Sequence, residues 1–228
     1  MSGPVLVAVA HGSAHPDARP AVAALARQIG RLAPVIDVRI AFAAHAEPSL
    51  AAALADAGSG AVVVPLLLST GYHLTTDLTT DLTGGLSAGI GPARPLGPDP
   101  LLTIALAARL REAGVPAGTP VVLAAAGSSD PRAEAEVGDQ AAMLAEQLGT
   151  EVTAAFAAAG QPAVPEAVAR VRARTGGPVA VASYLLAPGQ FHRRLAASGA
   201  DWVSAPLGDH PAVAALVIDR YRTQRAAA

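Results

Sequence analysis

The feature that most limits what this 228-residue chain can fold into is that its second half repeats its first. Gly12 and Ser13, which end an apolar run, are matched 115 residues later by Gly127 and Ser128. Ala41 and Phe42 are matched by Ala155 and Phe156 at an offset of 114, Leu67 to Gly71 by Leu185 to Gly189 at 118, and Pro95-Leu96-Gly97 by Pro206-Leu207-Gly208 at 111. Four matches in one order, at offsets that drift by only a few residues, describe a duplicated domain of about half the chain and not a short solenoid repeat. Glycine and proline cluster between Gly114 and Thr119, which sets one domain at residues 1–116 and a second at 117–228.

Within the first half, Val5 to Ala10 is a strand-like apolar run, and Val22, Leu25, Ile29 and Leu32 then fall on one face of a helix. The unit recurs as Val35 to Phe42 followed by Leu50 to Ala57, and as Ala61 to Leu68 followed by a helix beyond Tyr72. Continuous aliphatic runs alternating with helices predict an α/β fold: two tandem domains, each a mainly parallel sheet flanked by helices. Asp99-Pro100 and Asp209 with Pro211 read as capping and first-turn residues of the last helix in each half. In such sheets the loops leaving the carboxyl ends of the strands build the site.

Composition removes several classes of function. The 16 basic residues are all arginine, the net charge is −2 and no basic stripe is visible, so no nucleic-acid partner is expected. The absence of cysteine excludes disulfides, thiolate metal sites and cysteine nucleophiles together, leaving His, Asp, Glu and backbone oxygen for any metal. Apolar runs such as Val62 to Leu68 fall short of the roughly 18 residues of a membrane span, and the amino terminus lacks the basic region of a signal peptide. The expectation is a soluble cytoplasmic protein with no membrane partner.

Duplication supplies an internal control: features shared by both halves serve the fold, and unshared ones are candidates for chemistry. The glycine and serine of His11-Gly12-Ser13 persist as Gly127 and Ser128, but Ala126 stands at the place of His11 and Phe191 at that of His73. His11 follows the first strand and His73 the third, so both belong to loops at one sheet edge. Neutral imidazole binds divalent metals and titrates near neutrality, so the pair suits either metal binding or proton transfer. A loop histidine bonded to backbone is the plain alternative for each alone, and their joint loss from the second half favours a site.

The remaining candidates have local readings. His15, before Pro16, reads as solvated or capping, and His45 lies just beyond the second strand near the same edge. Glu47 precedes Pro48 where a helix begins, a position that suits a carboxylate. His192 is offset by one residue from the match to His73, and Asp77 and Asp81, four apart, read as a solvated helix face. With no lysine there is no phosphate-binding Gly-x-x-x-x-Gly-Lys, and no Gly-x-Ser-x-Gly elbow is present.

Taken together, Val9-Ala10-His11-Gly12-Ser13, then Pro65 to His73 with Asp77, then Pro95-Leu96-Gly97-Pro98-Asp99-Pro100-Leu101-Leu102 resemble the class II tetrapyrrole chelatases of the CbiX/SirB type, in their long two-domain form. That resemblance implies insertion of a divalent metal into sirohydrochlorin without nucleotide, in a cleft between two α/β domains. It assigns His11 and His73 to metal binding and catalysis, and it implies that Ser13, Ser69, Thr70, Gly71 and Tyr72 contact the substrate. No permanently bound cofactor is implied, because Fe2+, Co2+ or Ni2+ enters as a substrate; iron implies sirohaem synthesis and cobalt implies cobalamin synthesis. An internally duplicated chain is also compatible with a monomer.

One departure from the family pattern stands out. A Phe-x-Glu-x-x-Glu-Pro pattern often follows the second strand in that family, and here Phe42-Ala43-Ala44-His45-Ala46-Glu47-Pro48 has Ala44 at the first acidic place. Either His45 or Glu47 compensates as a metal ligand, or water completes the sphere, or activity is reduced or redirected. A non-catalytic tetrapyrrole or metal carrier is therefore the competing reading. A histidine phosphatase ranks below both, because Ala10 replaces the arginine of its Arg-His-Gly motif.

Overall fold

A computed structural model describes residues 5–12, 15–44, 46–58, 60–70 and 92–227. In chain order the elements are β1 (Leu6–Ala10), α1 (Ala18–Leu32), β2 (Val38–Phe42), α2 (Leu50–Ala57), β3 (Val62–Pro65), α3 (Pro100–Glu112), β4 (Val121–Gly127), α4 (Pro131–Leu148), β5 (Val152–Ala159), α5 (Val164–Thr175), β6 (Ala180–Tyr184), α6 (Gln190–Leu195), β7 (Trp202–Val203) and α7 (Pro211–Ala226). The helix expected beyond Tyr72 lies outside the described residues. Among those residues no helix is long and apolar enough to cross a membrane.

Among the described residues two sheets form, both wholly parallel, with strand orders β2-β1-β3 and β5-β4-β6-β7. The duplicated strands β1 and β4 hold the equivalent central place in each. Parallel strands need helices on both faces, and β1 is accordingly buried along its whole length. The helix face read from the sequence holds at Val22, Leu25 and Ile29, which are buried, but Leu32, the last residue of α1, is 48% exposed. Val35 is 87% exposed and lies ahead of β2, which begins only at Val38.

The two cores correspond position by position. Val7, Val9, Ala41, Leu50, Ala53 and Leu54 cluster in one, and Val122, Ala124, Ala155, Val164, Ala167 and Val168 cluster in the other. Gly12 and Gly127 both have positive φ, +92° and +94°, and a Cβ on either would lie 1.7 Å from a carbonyl oxygen, of Ala44 and of Ala159 respectively. Only glycine satisfies both demands, which is why each half keeps it.

The compact units do not follow the sequence repeats. One gathers the chain up to Leu67, the stretch ending at Leu96, and Gly208 onward; the other comprises Leu68–Thr70 and Gly97–Leu207. The chain changes unit inside the Pro-Leu-Gly motif, after Leu96 and again after Leu207. The last helix of each repeat is thereby exchanged: α3 lies on α4 and β6, and α7 lies on α1 and β3.

Equivalent arginines fix the exchange. Arg220 of α7, only 2% exposed, donates to the carbonyl oxygens of Pro95 at 3.1 Å and Leu96 at 2.9 Å. Arg109 of α3 donates to that of Leu207 at 3.0 Å. Each exchanged helix holds the Pro-Leu-Gly carbonyl at the point where the other repeat's chain crosses. The helix starts are also equivalent: Asp99 caps α3 through Leu101 N at 2.9 Å, as expected, but the cap of α7 is His210, whose Nδ1 accepts from Ala212 N at 3.2 Å. Asp209, expected in that role, lies one residue too early.

Candidate functional site

β1 ends at Ala10, which puts His11 at the carboxyl edge of the central strand of its sheet, where it is exposed. The backbone around it is tied to the loop after β2. Ala43 N donates to Ala10 O and Ala44 N to His11 O, both at 3.0 Å, while Phe42 N donates to Pro48 O at 2.9 Å. Gly12 turns the chain away against the Ala44 carbonyl, so His11 leaves the strand in a fixed backbone setting. Ala44 thus adjoins His11 in space as well as standing at the acidic place of the family pattern.

The neighbouring strand β3 feeds the second loop. Leu66 N donates to Val9 O at 2.8 Å, which continues the β1–β3 pairing beyond Pro65. The chain then enters the other compact unit for three residues. Leu68 O accepts from the Tyr184 hydroxyl at 2.6 Å, and Thr70 meets the Glu136 carboxylate twice, through its amide and through Oγ1, each at 2.5 Å. Burial first, then the negative charges of Glu136 and Asp99, push the Tyr184 phenol well above its ordinary value, so it remains a donor at any working pH.

Behind these contacts lies a buried polar network. Gln140 is fully buried, accepts from Asp99 N at 2.9 Å and donates to Thr103 Oγ1 at 2.7 Å. Gly97 has no room for a side chain, since a Cβ there would lie 2.1 Å from both Leu68 O and the Tyr184 hydroxyl.

Of the residues expected at the site, His11, Glu47, Ser69 and Thr70 are described; Ser13, His45, Gly71, Tyr72 and His73 lie outside the described residues, as do Asp77 and Asp81. Among the described residues no group of three or more His, Asp or Glu side chains is arranged to hold a metal ion. Glu47 is exposed, with one carboxylate oxygen accepting from Ser49 N at 2.8 Å, and the helix after it is capped by Ser49. His15 Nδ1 accepts from Asp17 N at 3.3 Å ahead of α1, the local role expected of it.

In the second repeat the equivalents have structural work. Ala126 occupies the His11 position, and Phe191, 37% exposed, has the Arg194 guanidinium 5.8 Å from its ring centre. His192 bonds the Ser204 carbonyl at 3.2 Å, and His210 is the helix cap already described.

Beyond the histidines, the halves differ in chemistry at a second set of positions that the sequence reading did not single out. Ala21, Leu25 and Leu66 of the first half correspond to Glu136, Gln140 and Tyr184. Leu25 and Gln140 are both buried on equivalent helix faces, so the exchange of an apolar for a polar residue inside a core is a signal readable from the sequence.

Known structures share this architecture. SirB from Bacillus subtilis with Fe3+ superposes with a TM-score of 0.80 at 26% sequence identity, covering 98% of this chain and 96% of that one. The sirohydrochlorin chelatase SirB from Bacillus subtilis subspecies spizizenii, in complex with cobalt, gives 0.76 at 23% identity over 98% and 96% of the two chains and supports the fold. DR2241 from Deinococcus radiodurans, a multi-domain protein with structural similarity to chelatases, gives 0.68 at 25% identity, over 96% of this chain and 55% of that one. No curated protein sequence matches the chain. The CbiX family model matches each repeat in turn, over residues 5–113 and 120–224, and the chain therefore belongs to the CbiX family.

Proposed function

We propose that this protein is a sirohydrochlorin chelatase, a lyase that inserts a divalent metal into the tetrapyrrole without nucleotide. Iron is the favoured metal, and sirohaem the favoured product. The observation that carries the reading is an asymmetry: His11 stands at the carboxyl edge of β1 where the equivalent strand β4 has Ala126, in a chain that matches SirB over nearly its whole length.

Insertion requires two pyrrole protons to leave while the metal exchanges water for ring nitrogens, so a base and a weak, replaceable metal site must lie close to the ring face. We assign both tasks to His11 and His73, in the N-terminal repeat, residues 1–116. Imidazole holds iron(II), cobalt(II) or nickel(II) less tenaciously than thiolate, and the chain has no cysteine. His45 or Glu47 is the candidate third ligand; since one Glu47 oxygen accepts the Ser49 amide, the other is the one to offer. Backbone and hydroxyl groups of Ser13, Ser69, Gly71 and Tyr72 are assigned to the substrate's carboxylates; Thr70, expected among them, is not, because its amide and its hydroxyl both donate to Glu136. Arg109 and Arg220 are not, because both hold backbone carbonyls within the fold. The reading places the protein in the cytoplasm with no nucleic-acid or membrane partner, and the internal duplication is compatible with a monomer.

Ala44 supports one competing reading, a tetrapyrrole or metal carrier that does not turn over. The deciding experiment is an anaerobic absorbance assay of the purified protein with sirohydrochlorin and, separately, iron(II), cobalt(II) and nickel(II), against protein-free controls. Multiple turnovers above the control establish the chelatase and rank its metals, with cobalt in first place making cobalamin synthesis the role. Binding spectra without turnover establish the carrier.

A further inference from the structure

We propose that Glu136, supported by Tyr184, is a positioning residue that acts on Thr70, three residues ahead of His73 in the chain. The inference rests on the chelatase reading and adds to it a contribution from the second repeat. Both carboxylate oxygens of Glu136 are committed to one residue: Oε2 accepts the Thr70 amide and Oε1 the Thr70 hydroxyl. Two charge-assisted bonds to adjacent donors fix orientation as well as distance. Two residues earlier, the buried Tyr184 hydroxyl fixes the Leu68 carbonyl at 2.6 Å. The three-residue segment Leu68–Thr70 is therefore held at both ends by groups from α4 and β6, within one compact unit.

His73 follows Thr70 by three residues, which limits their Cα separation to about 10 Å. Where Thr70 is anchored decides the region in which His73 can operate. The repeat comparison indicates that the clamp is a device and not a by-product of the fold. The first half builds the same helix and strand with Ala21, Leu25 and Leu66 and needs no polar group there, whereas the second half carries Glu136, Gln140 and Tyr184. At the place of Thr70 the second half has Pro188, which has neither an amide hydrogen nor a hydroxyl to offer. Clamp and clamped residue each occur once, in opposite halves.

The test compares wild type with Glu136→Ala, Glu136→Gln and Thr70→Val in cobalt(II) insertion, alongside thermal melting and hydrogen exchange of the peptide containing the Thr70 amide. The expected result for Glu136→Ala is lost protection of that amide and a kcat lowered about tenfold or more, with a much smaller change in KM. Glu136→Gln retains an oxygen for the amide and a group the hydroxyl can bond, so most of the kcat returns. Adding Glu136→Ala to Thr70→Val lowers the rate by less than it does alone. Wild-type kcat in a folded Glu136→Ala protein overturns the proposal, as does a Glu136→Gln variant as slow as Glu136→Ala. If Glu136→Ala melts below the assay temperature, Thr70→Val alone decides, with a lowered kcat expected and an unchanged one overturning the inference. A wild-type protein with no turnover overturns the chelatase reading and this role with it, whereas an active wild type with insensitive variants removes only the clamp.

Discussion

The Ala44 amide donates to the carbonyl oxygen of His11 at 3.0 Å, and the Ala44 carbonyl fills the space that a side chain on Gly12 would need. A position bonded to His11 through its amide and packed against Gly12 through its carbonyl adjoins the proposed metal site, yet it carries only a methyl. Restoring a carboxylate by Ala44→Glu is expected to tighten cobalt(II) binding about tenfold, because affinity at oxygen and nitrogen sites rises with ligand charge. Titration of the metal-free protein measures this. An unchanged affinity would mean that His45, Glu47 or water already completes the sphere.

Gly12→Ala and Gly127→Ala meet the same obstacle, a carbonyl oxygen 1.7 Å from the new Cβ at a φ above +90°. Each is expected to cost about 3 kcal/mol of stability. Their effects on chemistry should differ. Gly12→Ala disturbs the residue after His11 and lowers the insertion rate of whatever folds, while Gly127→Ala leaves the folded fraction active. Thermal melting together with rates per folded molecule separates the two.

The parallel sheets, α2 to the residue and the turn role of the paired glycines follow from hydrophobic periodicity and from the repeat, because apolar runs such as β1 and β4 call for cover on both faces. The exchange of α3 and α7 does not. Either helix satisfies the same apolar demand from either sheet, and what decides between them is the crossing at Leu96–Gly97 and Leu207–Gly208, held by Arg220 and Arg109 through carbonyl oxygens that carry no side-chain signature. His210 in place of Asp209 is a similar case, since at the offset of 111 it is His210 that matches Asp99. At the proposed site, His11 stands out in the sequence because its absence from the second half is a change of chemistry. Glu136 and Tyr184 were not, because their partners are a backbone amide, a backbone carbonyl and one threonine hydroxyl.

The two crossing arginines should differ in what they contribute. Arg220→Ala removes the donor from a buried carbonyl oxygen, that of Leu96, and from a partly buried one, that of Pro95, and is expected to cost about 3 kcal/mol. Arg109 bonds one such carbonyl, and its side chain is 18% exposed against 2% for Arg220, so water partly replaces it. Arg109→Ala is expected to cost about 1 kcal/mol. Denaturant unfolding of the two variants checks the order, which would be reversed if the exposed end of Arg109 carried the effect.

Asp201 gives the stability a pH signature. Its carboxylate accepts the Val179 amide and the Arg172 guanidinium, both at 2.8 Å, and these bonds, the backbone one foremost, hold its pKa below the ordinary 3.8. A carboxyl depressed in the folded state stabilises fully above its unfolded value and loses that contribution as pH falls through the folded one. Asp201→Asn should therefore melt below wild type at neutral pH, with the gap closing as the pH drops under 3.8. Melting curves of both proteins from pH 7 to about 2.5 test the sign, and a gap that widens in acid would contradict it.

The histidines provide the sharpest contrast between chemistry and architecture. His192 bonds the Ser204 carbonyl and His210 caps α7, so each has a structural partner in its own surroundings. Their substitution by alanine should lower stability by about 1 kcal/mol or less for His192 and about 1 kcal/mol for His210. Neither should change the insertion rate of the folded protein. His11→Ala and His73→Ala should leave the circular dichroism unchanged and reduce insertion by about a hundredfold or more, the scale expected when a positioned base is removed. Near-wild-type rates in either, with an intact spectrum, would remove that residue from the site. Equal losses from His11→Ala and His192→Ala would mean that the asymmetry between the repeats does not locate the chemistry.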